Sequence, residues 1–174
     1  MLQWLAEELP REVDLALIRS AILLHIDKHA DISRLHPEPT SGNVVRQILE
    51  GKLVRAAWWA ASDPQGWIKD ATYSNSKLFG QILRFSEDFP PTDAPVILSI
   101  DLDAFASSVE PDDPAEMRAR VDQVLEQIRK NHYRILGVFI ASSIGVFNEE
   151  PQEPGYTRKK DVPFLLERIQ KSLG

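Results

Sequence analysis

Two groups of residues in this chain carry the side chains that divalent cations bind. They are Asp27-Lys28-His29-Ala30-Asp31 and, about seventy residues on, Asp101-Leu102-Asp103. Each ends an apolar run that reads as a buried strand, Ala21-Ile22-Leu23-Leu24 before the first and Val96-Ile97-Leu98-Ser99-Ile100 before the second. Side chains at the C-terminal ends of parallel strands converge where open α/β sheets place their ligands. Four carboxylates and an imidazole, without any thiolate, suit Mn²⁺, Mg²⁺ or Fe²⁺ better than a structural zinc. The chemistry implied is a pair of cations that activates water.

If the chain stays extended beyond Ile26, alternate residues point the same way, and Asp27, His29 and Asp31 share one face. The plainer reading is a polar turn after a strand, but a histidine between two aspartates at a spacing of two is unusual in such a turn. Asp101 and Asp103 repel each other, and burying both is costly unless a cation or a donor neutralises them. His25, two residues before Asp27, faces the same side and is either a ligand, a residue that orients one, or a core histidine. His36 lies in a Pro-flanked loop just past the first cluster, where it could shuttle protons or simply be exposed. Asn43, with Thr40 and Ser41, could hold a polar substrate; the local sequence also reads as a helix cap. His132, at a helix end after Lys130, suits the helix dipole. Trp58 and Trp59 read as packing residues, and Tyr156 as a candidate for a pocket mouth.

The elements that must position these residues follow from pattern. Met1 to Leu9 reads as part of an amphipathic helix with Leu2, Leu5 and Leu9 on one side, stopped by Pro10. A second short helix is expected near Glu12 to Ile18, then a strand from Ala21 to Ile26. Thr40-Ser41-Gly42-Asn43 signals a helix start before Val44, Val45, Ile48 and Leu49, with Gly51 closing it. Leu53 to Ala60 reads as a strand, and the stretch from Gln65 to Phe89 as short strands or hairpins punctuated by Gly80. The clearest helix runs from Pro114 to Lys130, with Asp113 as its cap, Glu116 completing a capping box, and Met117, Val121, Val124, Leu125 and Ile128 as its apolar stripe. A strand from Ile135 to Ala141 and a final helix from Asp161 to Leu173 complete the series. Strands alternating with helices predict a single α/β domain of three α/β/α layers, with a mostly parallel sheet covered on both faces.

At 174 residues the chain suits one well-buried core. Its 43% hydrophobic and 26% charged residues are an ordinary globular mixture. A net charge of −6 argues against a nucleic-acid surface, which needs a basic footprint. No apolar stretch approaches the roughly 20 residues of a membrane helix, and the acidic N-terminus, without a basic region, does not read as a signal peptide. There is no cysteine, which removes disulfide and thiolate chemistry and is compatible with the expected cytoplasmic location.

The pairing of Asp-x-His-x-Asp after one strand with Asp-x-Asp after a later one resembles the arginase (ureohydrolase) superfamily. The surrounding residues are closer to the branch that includes the peptide arginases. Leu23 to Ile32, Asn43 opening a helix, Glu50-Gly51 before the Trp strand and Ile97 to Asp103 carry that likeness. The resemblance spans roughly residues 4 to 170 and implies a reduced arginase/deacetylase-like fold with two Mn²⁺ ions. It also implies that Asp27 and Asp101 bridge both ions, that Asp31 completes one, and that His29 with Asp103 completes the other. The implied reaction is attack of a bridging hydroxide on a guanidinium carbon of a peptide or small guanidino substrate, giving ornithine and urea.

The family pattern also has a metal-binding His ahead of the first Trp-bearing helix, whereas no His precedes His25 here. Val45 stands about where free-arginine enzymes place a proton-shuttling His, and Glu149 and Glu150 are the nearest carboxylates to a guanidinium-binding position. Two expectations follow: a chain truncated at its N-terminus, or an incomplete member acting as a metal-binding or partner-binding module. Asp101 to Glu110 also resembles the first motif of lesion-bypass DNA polymerases, but the chain is acidic and lacks their second motif. A haloacid-dehalogenase phosphatase would leave the first cluster unexplained, and a deacetylase would not need the second Asp-x-Asp. The expected activity is therefore Mn²⁺-dependent hydrolysis of a carbon–nitrogen bond.

Overall fold

A computed structural model describes residues 14–34, 37–62, 78–106, 114–142, 157 and 159–173 of the chain. The expected helix over Met1 to Leu9 lies outside them, as does Asp113, the expected cap of the long helix.

The apolar run before the first cluster forms the middle of the sheet. β1 (Ile22–Ile26) is buried along its whole length, as a central parallel strand covered on both faces must be. On one side it pairs with β2 (Ala56–Ala61) and on the other with β4 (Val96–Asp101). β3 (Gln81–Arg84) lies outside β2, and β5 (Ile135–Ala141) lies outside β4. Among the described residues the resulting five-stranded order is β3-β2-β1-β4-β5, with every neighbouring pair parallel.

Side-chain alternation sorts the strands' residues into two cores. Leu24, Ile26, Ala60, Leu98 and Ile100 pack with Met117, Val121, Val124, Leu125 and Ile128 of α3 (Pro114–Lys130) and with Leu165 and Ile169 of α4 (Val162–Leu173). On the opposite face, Leu23, Ala57, Trp59 and Ile97 pack with Val45, Ile48 and Leu49 of α2 (Val44–Glu50). The apolar stripe expected on α3 is thus the one that is buried. The two helices of the first face are joined by the Arg168–Asp122 ion pair and by Arg118 lying 4.9 Å over the ring of Phe164. Helices therefore cover both faces, in the three-layer α/β/α order expected.

Departures from the expected elements have local causes. The short helix near the start is α1 (Leu15–Ser20), displaced because Asp14 caps it by accepting from Ala16 N. β2 begins at Ala56 rather than Leu53. Lys52 adopts a left-handed φ of 51°, and Leu53 N still donates to Ile48 O, so these residues close α2 instead of extending the strand. Glu116 pairs with Arg120 at 3.0 Å, one helical turn along.

Leu24 is fully buried at the centre of the sheet, whereas Leu15 is 64% exposed. Leu24→Ala should cost about 2–5 kcal/mol by loss of burial and cavity formation. Leu15→Ala should stay within about 0.5 kcal/mol of the parent. Urea denaturation of the two variants measures both values.

Candidate metal centre

The two clusters meet because β1 and β4 are adjacent and in register, with His25 opposite Ser99 and Ile26 opposite Ile100. Both motifs then leave the sheet by the same device. Asp27 Oδ1 accepts a hydrogen bond from His29 N at 2.7 Å, and Asp101 Oδ1 accepts one from Asp103 N at 3.3 Å. Each aspartate thereby closes a turn over its own backbone two residues on, curling the next polar residue back over the strand end.

Convergence is achieved this way rather than by the extended alternation expected for Asp27, His29 and Asp31. β1 stops at Ile26, and Asp31 has a left-handed φ of 52°. Two backbone amides at the start of α2, Val45 N and Arg46 N, donate to the Asp31 carbonyl and fix that turn. The Asp27 backbone is held from the other side: its N–H donates to Ala60 O at 3.1 Å, and its carbonyl accepts from the Trp59 indole Nε1 at 2.9 Å. Trp59 is therefore more than packing; its polar edge pins the residue on which the site is centred.

The side chains form two trios that share Asp27. In the first, His25 Nε2 lies 3.2 Å from Asp27 Oδ2 and 3.8 Å from Asp31 Oδ2. In the second, His29 Nδ1 lies 3.5 Å from Asp27 Oδ1 and 3.2 Å from Asp103 Oδ2. The resemblance assigns Asp101 a bridging position; the geometry leaves it outside both trios, near enough for its charge to act on His25 and Asp31. His25 Nδ1 is 3.3 Å from Ser99 Oγ, which directs Nε2 toward the carboxylates.

The donor set fits a cation on structural grounds. Asp27 and Asp103 are buried, and Asp103 Oδ1 accepts no hydrogen bond among the described residues. Buried carboxylates without donors are expensive. Metal–ligand bonds of about 2.1 Å put neighbouring ligands roughly 3 Å apart, which is the spacing of the two closest imidazole–carboxylate approaches.

Protonation follows from the same crowding. Burial opposes the charge of Asp27, yet His25 and His29 hold its carboxyl far below the usual carboxylate range. Burial, then the Asp27 charge, pushes Asp31 up to about 8. Burial likewise raises Asp103, with His29 pulling the other way. Asp103 and then Asp27 raise His29 to about 10. Burial disfavours charge on His25, but Asp27, Asp31 and Asp101 outweigh it and raise its pKa.

The remaining candidates lie apart from this cluster or outside view. Asn43 is buried with its polar atoms on local backbone: Oδ1 accepts from Thr40 N at 2.8 Å, and Nδ2 donates to Glu38 O at 2.9 Å. Its side chain serves the cap ahead of α2. His36, Glu149, Glu150 and Tyr156 lie outside the described residues. His132 takes a left-handed φ of 48° at the end of α3, with its N–H on Arg129 O.

No family model and no curated protein matches this chain. Among solved structures it is similar to a T. brucei arginase-like protein, a triple mutant bound with Mn²⁺. That match has 18% identity and a TM-score of 0.50 over 89% of this chain and 53% of the other. A quadruple mutant gives 19% identity and a TM-score of 0.47 over 88% and 50%, and a double mutant 16% and 0.48 over 99% and 54%. The chain spans about half the length of these solved chains. The first of these likenesses establishes an arginase-like fold.

Asp27 belongs to both trios, whereas Asp31 and Asp103 belong to one each. Asp27→Asn should cut any Mn²⁺-induced rise in melting temperature more than Asp31→Asn or Asp103→Asn does, as read by thermal melts with and without Mn²⁺. Without metal, Asp31 binds a proton in the folded state between its ordinary 3.8 and about 8, and His29 between 6.5 and about 10. Both contributions to stability are present at the lower pH and lost as pH rises through those windows. Cations must displace these protons, so the Mn²⁺-induced stabilisation should grow from about pH 6 to about pH 9. Thermal melts with and without Mn²⁺ across that range check the sign.

Proposed function

We propose that this chain carries a binuclear Mn²⁺ hydrolase site that cleaves a carbon–nitrogen bond of a guanidino group, most specifically an arginine side chain within a peptide. The observation that carries this reading is the sharing of Asp27 by two imidazole–carboxylate trios at the ends of adjacent parallel strands. His25, Asp27 and Asp31 would hold one ion, and Asp27, His29 and Asp103 the other. Bound there, the ions would supply a water of lowered pKa and a sink for negative charge in the transition state.

The chain's own residues account for the rest of the proposal. Asp31, His29 and Asp101 are partly exposed, whereas His25, Asp27 and Asp103 are buried, so the cluster opens to solvent along one side. A cationic guanidinium would approach an acidic rim from that side, drawn by its charge. Trp59 and the first amides of α2 hold the Asp27 and Asp31 backbones still, so the carboxylates need not reorganise when substrate arrives. Addition of water to the guanidinium carbon, with cleavage of its bond to the side-chain nitrogen, releases urea and leaves an ornithine side chain. The departing amine takes up a proton.

A second reading is a metal-binding module without turnover. It draws support from the engagement of the Asn43 amide by its own turn.

Urea release from an arginine-containing peptide, with Mn²⁺ added, separates the two. Turnover that is lost in Asp27→Asn by at least about 100-fold supports the hydrolase. Stoichiometric Mn²⁺ binding with no urea released supports the module.

A further inference from the structure

Asp27 is common to both trios, so whatever aims it aims the whole centre. Two peptide groups flank its α-carbon, and β2 holds one atom of each. The Asp27 N–H donates to Ala60 O at 3.1 Å, and the Asp27 carbonyl accepts from Trp59 Nε1 at 2.9 Å. A peptide group is planar, so holding both planes fixes φ and ψ of Asp27 and the direction in which its side chain leaves the backbone. ψ matters most here. Rotation about it would swing the two following peptides, and the second of them carries the His29 N–H that donates to Asp27 Oδ1 at 2.7 Å. The Trp59 hydrogen bond therefore governs the path from Asp27 to His29, two members of one trio.

The same ring lies beneath the loop it holds. Trp59 is buried in one core with Leu23, Ala30, Ile32, Val45 and Phe79. Ala30 and Ile32 alternate with His29 and Asp31, so the loop sends its apolar residues into that core between its partly exposed polar ones. Trp58, one residue earlier, joins the opposite core, where its ring meets Tyr133 edge-on at 6.4 Å between centroids. One strand thus carries two buried tryptophans in different surroundings, and Trp59 is the one bonded to a candidate ligand.

We propose that Trp59 is a positioning residue of the metal centre, whose indole N–H sets the cation affinity through the Asp27 carbonyl. This rests on the metal reading above and adds to it a residue that is not itself a ligand. Removing the N–H while keeping the ring takes that donor from a buried carbonyl, and the peptide must turn to find another. Turning it misdirects the carboxylate on which both trios depend. A ring that served only to fill space would have no such effect.

Calorimetric titration of the full chain with Mn²⁺, below the melting transition of every variant, is the test. Replacing Trp59 by benzothienylalanine keeps the bicyclic ring and exchanges only the N–H for sulfur. That variant and Trp59→Phe should each weaken Mn²⁺ binding by roughly tenfold or more, the loss expected when a group that orients a metal ligand is removed. The first of them keeps the comparison open should Trp59→Phe fail to fold. Trp58→Phe, the same change on the opposite face, should lower the melting temperature yet leave Mn²⁺ affinity at the parent's value. Parent affinity without the Trp59 N–H would overturn the proposal and leave the metal reading standing. An equal loss of affinity in Trp58→Phe would also overturn it, because general loosening would then suffice. A parent chain that binds no Mn²⁺ would overturn the metal reading and this proposal together.

Discussion

Crowding of negative charge at the ends of β1 and β4 is the constraint on which the site depends. Asp27 and Asp103 are buried, Asp31 is mostly so, and Asp101 stands close enough to be felt by its neighbours. Left alone, such a group protonates or unfolds. Two imidazoles sit among the carboxylates and relieve part of the repulsion, which is why His29 retains its proton so far above its ordinary value. That relief is incomplete: His29 Nδ1 lies 3.2 Å from Asp103 Oδ2, but Asp103 Oδ1 accepts no hydrogen bond among the described residues. A cluster that costs stability, yet is fixed by hydrogen bonds from the neighbouring strand and helix, is what the proposed metal site requires.

Rigidity comes from outside the cluster. The Asp27 backbone is tied to β2 through Ala60 and through the Trp59 indole, so the strand next to β1 decides where its terminal carboxylate points. The Asp31 carbonyl is caught by the first amides of α2, and Asn43 secures the turn from which that helix starts. The chain thus spends its α2 face twice. Val45 fills the core beneath Trp59, while the helix's leading end sets the backbone of a candidate ligand. Loss of the Trp59 indole N–H would therefore act on the site through Asp27 even if the ring's packing were preserved.

Much of this was readable in the residues. Apolar runs ahead of Asp27 and Asp101, each with a single polar residue (His25 and Ser99), located the central strands, because a parallel strand buried on both faces shows no regular polar alternation. The stripe from Met117 to Ile128 located a helix that packs on them. What the pattern could not convey was how the ligands converge. Alternation suggested an extended Asp27 to Asp31, whereas two side-chain-to-backbone turns and a left-handed Asp31 do the work, and such turns depend on where neighbouring carbonyls lie. The same limit applies to Asn43: its amide suits a substrate contact or a cap equally well until Glu38 and Thr40 are placed beside it. Trp59 was legible only as a packing residue, since its N–H partner lies thirty-two positions away in the chain.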